Sequence, residues 1–146
     1  GLSIIEAKQL DATQLHTTLA DQADRVLVDA PCSGLGVLRR RPDARWRKED
    51  SLQGLPTLQT AILSSAAQCV KPGGVLVYST CTLEQAENEA VVTRFLDGNP
   101  QFVLDETGSF LPTPRNEKMI TLWPQRDGTD GFFIARMVRK AEGEKE

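Results

Sequence analysis

Apolar residues along this chain gather into short uninterrupted runs and one helical stripe. Two runs are alike: Arg25 to Asp29, centred on Val26-Leu-Val28, and Val75-Leu-Val-Tyr78, which leads into Ser79-Thr-Cys81. Unalternated, β-branched runs of this length mark parallel strands covered on both faces. Pro31 has no N–H for a ladder, so the first of them stops just before it. Gly131 to Val138 predicts a last strand, Phe102 to Leu104 a short one, and Leu2 to Ala7 another at the start. Leu58, Ile62, Ala66 and Cys69 recur at three- and four-residue spacing and predict a helix from Pro56 to about Val70. Cys69 then belongs to the core face. Lys71-Pro-Gly-Gly74 closes that helix and launches the next strand. Thr82-Leu-Glu-Gln85 fits a capping box, so a helix is expected to begin just beyond Cys81 and run to about Leu96. Glu84 and Glu87 fall in its first turn, where the helix dipole favours acids. Thr13 to Leu19 predicts a short helix, and residues 105 to 128 a long excursion bearing proline and glycine.

Strands separated by helices give an α/β chain, and 146 residues suffice for one domain. No apolar run approaches the roughly 20 residues of a membrane span, and the opening residues lack a signal-peptide pattern. A cytoplasmic protein without a membrane partner is the expectation. Three cysteines without C-x-x-C spacing speak against a disulfide framework or a zinc site and for free thiols. The net charge of −3 disfavours nucleic acid, but residues 39 to 48 hold six cations and one acid. Such a run is often only a solvated loop. Its start a few residues after Cys32 would instead set it at the edge of a crevice. There Arg39, Arg40, Arg41, Arg45 and Arg47 could meet phosphates and Trp46 could stack on a base.

Asp29 and Cys32 follow the first central strand and Cys81 follows the second. Open parallel sheets place ligands at such carboxyl ends. If the strands are neighbours, about 5 Å apart, both thiols face one crevice. A helix start next to Cys81 would stabilise its thiolate. A strand-end acid and two thiols suit methylation of a pyrimidine at carbon 5. That carbon becomes nucleophilic only after a thiolate adds to carbon 6, a carboxyl group at N3 can stabilise the charge that develops, and a second thiol can assist release.

Asp29-Ala-Pro-Cys-Ser-Gly-Leu-Gly36 together with Tyr78-Ser-Thr-Cys-Thr82 resembles the paired cysteine motifs of the Sun family of RNA cytosine-5 methyltransferases. Arg39-Arg-Arg-Pro-Asp43 with Trp46, Lys71-Pro-Gly-Gly74, Glu87-Asn-Glu89 and Asp130-Gly-Phe-Phe-Ile-Ala135 are similar to further blocks of that family in the same order, so the resemblance covers nearly the whole chain. Within the family it is most similar to the bacterial branch acting on small-subunit ribosomal RNA. The resemblance implies a Rossmann-like class I methyltransferase sheet, here its later strands with an antiparallel strand near the C-terminus. It implies S-adenosylmethionine as cofactor and RNA as partner. It makes Cys81 the nucleophile, Cys32 the residue that helps release product and Asp29 the acid addressing the cytosine, with Asp29 and Asp11 as cofactor contacts.

The chain departs from the family in having no glycine-rich cofactor loop; Gly34 and Gly36 belong to the thiol motif and Gly73 and Gly74 to the helix stop. It is therefore expected to be the C-terminal portion of the catalytic domain, without that loop or an RNA-binding domain, and inactive in isolation. The family's strand order, 3-2-1-4-5-7-6, would then leave the strand ending at Asp29 with a bare edge. Bare edges invite pairing, so either a dimer or residues 2 to 7 folded across the edge is expected. Two other readings compete. An RNA-docking module with inert thiols would leave activity and RNA affinity untouched by Cys81→Ser. A thiol redox protein would need a reversible Cys32–Cys81 disulfide, against which sequence separation and a cytosolic setting both count.

Overall fold

The computed structural model describes residues 3–46, 53–141 and 143. A 3₁₀ turn (Ala12–Gln14) and the short α1 (His16–Leu19) precede β1 (Ala23–Asp29), and a second 3₁₀ turn (Pro42–Trp46) precedes α2 (Leu55–Ala67). Then come β2 (Val70–Thr80), α3 (Glu89–Gly98) and β3 (Phe102–Leu104). A third 3₁₀ turn (Thr107–Phe110), β4 (Met119–Leu122), the single-turn α4 (Pro124–Asp127) and β5 (Phe132–Arg139) complete the order.

The five strands form one sheet, ordered β1-β2-β5-β3, with β4 also paired to β5. Only β1 and β2 are parallel; β5 runs antiparallel to β2, β3 and β4. The fold is thus mixed α/β with the expected antiparallel strand near the C-terminus. Register sets Val28 beside Tyr78, and Tyr78 beside Ala135. Successive strand residues point to opposite faces, so Val28, Leu76, Tyr78, Phe133, Ala135 and Met137 share one face. They join Ile62, Leu63 and Ala66 of α2 and Val91, Val92 and Phe95 of α3 in one core cluster. Cys69 is buried as expected, but it lies beyond the end of α2 rather than on its face.

Five expectations are corrected. Of the strand expected at Leu2 to Ala7, the described residues 3–7 form none: Ser3 and Ile4 make a turn and residues 5–10 are irregular and exposed, while Leu2 lies outside the described residues. Among the described residues β1 pairs with β2 alone, so residues 3–7 do not cross its open edge. Nor is β1 covered on both faces, since Leu27 is 68% exposed. Lys71-Pro-Gly-Gly74 is not the helix stop. The helix has ended at Ala67, and these residues bulge between Val70, the partner of Ala23, and Val75, the partner of Arg25. Gly74 fits there because a Cβ would lie 2.8 Å from Lys71 O and 3.0 Å from Asp24 O. Finally, the third helix begins at Glu89, eight residues past Cys81.

Candidate active site

Asp29 and Ser79 are register partners at the carboxyl ends of the parallel pair, and the Ser79 hydroxyl lies 3.3 Å from Asp29 Oδ1. Beyond them the chains leave the sheet and the two thiols converge. Cys32 Sγ and Cys81 Sγ are 3.1 Å apart, both free and both partly buried. They line a crevice of about 450 Å³ with Asp29, Pro31, Val37 and Arg41. Burial pushes the Cys32 thiol up to about 12, with the Cys81 sulfur adding to the shift. Cys32 therefore keeps its proton near neutral pH, and its sulfur lies within hydrogen-bond distance of the Cys81 sulfur.

The loops bearing the thiols are tied to a third. Gly36 N–H donates to Cys81 O at 2.9 Å and Gly131 N–H donates to Gly36 O at 2.8 Å. A Cβ on Gly36 would sit 2.2 Å from Gly131 O, so only glycine lets these backbones approach. The entrance to β5 thereby abuts both thiol loops.

Residues 1–138 match the family described as 16S rRNA methyltransferase RsmB/F. The chain belongs to that family. It is the Sun family that the paired cysteine motifs resemble. The probable ribosomal RNA small subunit methyltransferase B of Bacillus subtilis (strain 168) is 43% identical over 148 residues, which cover 96% of this chain and 33% of that protein. The ribosomal RNA small subunit methyltransferase F of Aeromonas salmonicida (strain A449) is 38% identical over 144 residues, covering 94% of this chain and 30% of that one. Among solved structures, PH0851 superposes with a TM-score of 0.85 at 36% identity, covering 94% of this chain and 31% of its own. NSun6 from Pyrococcus horikoshii, solved with SFG, gives 0.75 at 35% identity, covering 90% of this chain and 34% of its own. The chain spans about a third of the length of the curated relatives it matches.

In this RsmB/F chain the basic segment divides. Arg39 and Arg40 both hold the Asp130 carboxylate, Arg40 Nε at 2.6 Å from Oδ2. Arg41 lines the thiol crevice and has no ion-pair partner among the described residues. Arg45 and Trp46 end the 3₁₀ turn Pro42–Trp46, with Trp46 81% exposed. Arg47 lies outside the described residues. Asp11 is not at the crevice. It caps the first 3₁₀ turn, accepting from Thr13 N–H at 2.9 Å and from the Thr13 hydroxyl at 2.7 Å, and these bonds lower its pKa.

The expected helix start at Cys81 is absent because of a tertiary contact. The Thr82 hydroxyl reaches only the nearby Glu84 N–H, at 3.3 Å, and is shared with the Ser33 hydroxyl at 2.7 Å. Residues 85–88 consequently turn without becoming helical, and Cys81 gains no helix terminus. Glu87 precedes the helix rather than standing in its first turn: it is 4% exposed and takes bonds from Ser33 N–H at 2.9 Å and Gln59 Nε2 at 2.8 Å. Sequence reasoning missed Gln59, Glu87 and Asn88 as parts of the site. Glu87 and Asn88 stand in the family-like block Glu87-Asn-Glu89, but nothing in that block gave them a role.

Proposed function

We propose that this chain carries the thiol centre of an enzyme that transfers a methyl group from S-adenosylmethionine to carbon 5 of a cytosine in RNA, through a covalent cysteine adduct. The names of its relatives point to small-subunit ribosomal RNA as the substrate class. The observation that carries the reading is the 3.1 Å separation of two free thiols beside a strand-end carboxylate. Inert thiols have no need of such a meeting at a crevice. In this reading Cys81 attacks carbon 6 of the cytosine, and the electrons of the ring's 5,6 double bond move to carbon 5. Asp29 addresses N3 through a proton shared between its carboxyl group and that nitrogen, which neutralises the negative charge developing there. After methylation the proton on carbon 5 passes to water, its bonding electrons re-form the double bond, and the Cys81–carbon 6 bond breaks with its electron pair returning to the Cys81 sulfur, a hydrogen bond from Cys32 assisting that release. The target base must leave its stack to reach the crevice. Arg41 and Arg45 meet its flanking phosphates and Trp46 offers a stacking face.

S-adenosylmethionine, when bound, supplies an electrophilic methyl group. The donor chemistry fits it in part, since the exposed Asp29 carboxylate at the end of β1 can accept from its polar groups. Asp11 and Asp29 each have Oδ1 engaged, by Thr13 and by Ser79, which leaves Oδ2 of either for such a contact. SFG, in the Pyrococcus horikoshii NSun6 structure, is an analogue of S-adenosylmethionine.

The test is nucleoside analysis of small-subunit ribosomal RNA after incubation with the full-length protein and S-adenosylmethionine. 5-Methylcytosine is expected from the native protein, with at least a thousandfold loss of rate in Cys81→Ala. Methylation at another atom, or a Cys81→Ala variant at native rate, would contradict the reading.

A further inference from the structure

The consecutive residues Glu87 and Asn88 hold the flanks of both thiols. Asn88 Oδ1 accepts from the Thr80 hydroxyl at 2.6 Å and Asn88 Nδ2 donates to Thr82 O at 3.0 Å, the residues on either side of Cys81. Glu87 does the same for Cys32. Its Oε2 accepts from the N–H of Ser33, and also from Gln59 Nε2, which in turn donates to Pro31 O at 2.9 Å. The turn that carries the pair is itself anchored, because the Tyr78 hydroxyl donates to Glu87 O at 2.7 Å. Glu87, Asn88 and Gln59 are all buried, at 4%, 1% and 0% exposure. A buried carboxylate stays only where charge-assisted bonds hold it, and such bonds resist displacement.

We infer that Glu87 and Asn88 are the positioning residues of the thiol pair, Glu87 fixing Cys32 and Asn88 fixing Cys81 across one shared turn. Neither touches a reacting atom. Their work is to keep the two sulfurs within reach of one carbon-6 adduct, where a displacement of about 1 Å is enough to slow a reaction a hundredfold. The roles given to the thiols rest on the function proposed above; the geometric claim does not.

The decisive experiment measures the thiol–thiol relation itself, in the full-length protein, by equilibration with glutathione and glutathione disulfide. The two protein thiols give up two electrons and two protons and form a Cys32–Cys81 bond, while one glutathione disulfide becomes two glutathione thiols. The equilibrium constant reports how closely the sulfurs are held. Glu87→Ala and Asn88→Ala are each expected to lower it at least tenfold and Glu87→Gln by less. Ile120→Ala, a core change in β4, is expected to leave it unchanged at a comparable loss of Tm. Native constants in both alanine variants, or an equal fall in Ile120→Ala, would overturn the inference, and the Gln variant serves if Glu87→Ala does not fold. A second readout uses RNA and S-adenosylmethionine. With Cys32 displaced, Glu87→Ala is expected to accumulate a denaturation-resistant RNA adduct on Cys81 several-fold above the native protein, whereas Asn88→Ala forms the adduct more slowly. Absence of any adduct in Glu87→Ala as well as in the native protein would count against the proposed function and leave the positioning result standing on the glutathione constant.

Discussion

Burial holds the proton on Cys32, and two other buried groups behave alike: burial raises the pKa of the Cys69 thiol and of the Tyr78 hydroxyl. In an unfolded chain thiols ionise near about 8.5 and tyrosine near about 10. Above the first of these values the unfolded chain binds fewer protons than the folded one. Stability is therefore complete below it and falls as pH rises toward the folded values. Thermal unfolding followed at successively more alkaline pH is expected to show Tm falling from about pH 8.5, with a shallower fall in Cys32→Ala; a flat profile in the native protein would contradict these assignments. At this scale both thiols and Asp29 were legible, because a strand that ends in Asp-Ala-Pro-Cys leaves its chemistry at an exit. Glu87 was not. Its burial depends on Ser33 and Gln59, 54 and 28 residues away, and no local pattern reports such partners.

At the level of elements, apolar runs identified β1, β2, β3 and β5, and the three- and four-residue spacing identified α2. What failed was punctuation decided by tertiary contacts. Thr82 has a capping residue's chemistry but faces Ser33, so α3 starts later. Met119–Leu122 is too short and too hemmed by proline and glycine to announce a strand, yet it pairs with Phe132–Ala135 because β5 offers it an edge. The junction of Gly36, Cys81 and Gly131 carries the prediction here. Gly36→Ala drives a Cβ into Gly131 O, and an overpacked backbone contact costs about 2–3 kcal/mol. Gly98→Ala meets nothing within 4 Å at the end of α3 and is expected to be neutral or stabilising by up to about 1 kcal/mol. Denaturant unfolding of the two variants tests the contrast, and equal stability would contradict it.

Over the whole molecule, a net charge of −3 opposes RNA except where cations concentrate beside the crevice. Asp130 already occupies Arg39 and Arg40, which leaves Arg41 and Arg45 as the described cations best placed for phosphate. Removing both, as Arg41→Gln with Arg45→Gln, is expected to reduce the slope of log affinity against log salt by about 1.4, at roughly 0.7 for each contact to single-stranded RNA. An unchanged slope would move the RNA path elsewhere. The sheet's order follows from its parallel pair and antiparallel β5, but the open face of β1 was not legible, since cover on a strand is a property of what packs on it. The central claim is that Cys81 forms the adduct and Cys32 releases it. Its most direct test is to incubate the full-length protein with small-subunit ribosomal RNA containing 5-azacytidine, in the presence of S-adenosylmethionine, and to map the denaturation-resistant adduct by mass spectrometry. The account predicts RNA attached to Cys81, and a bond to Cys32 instead would contradict it.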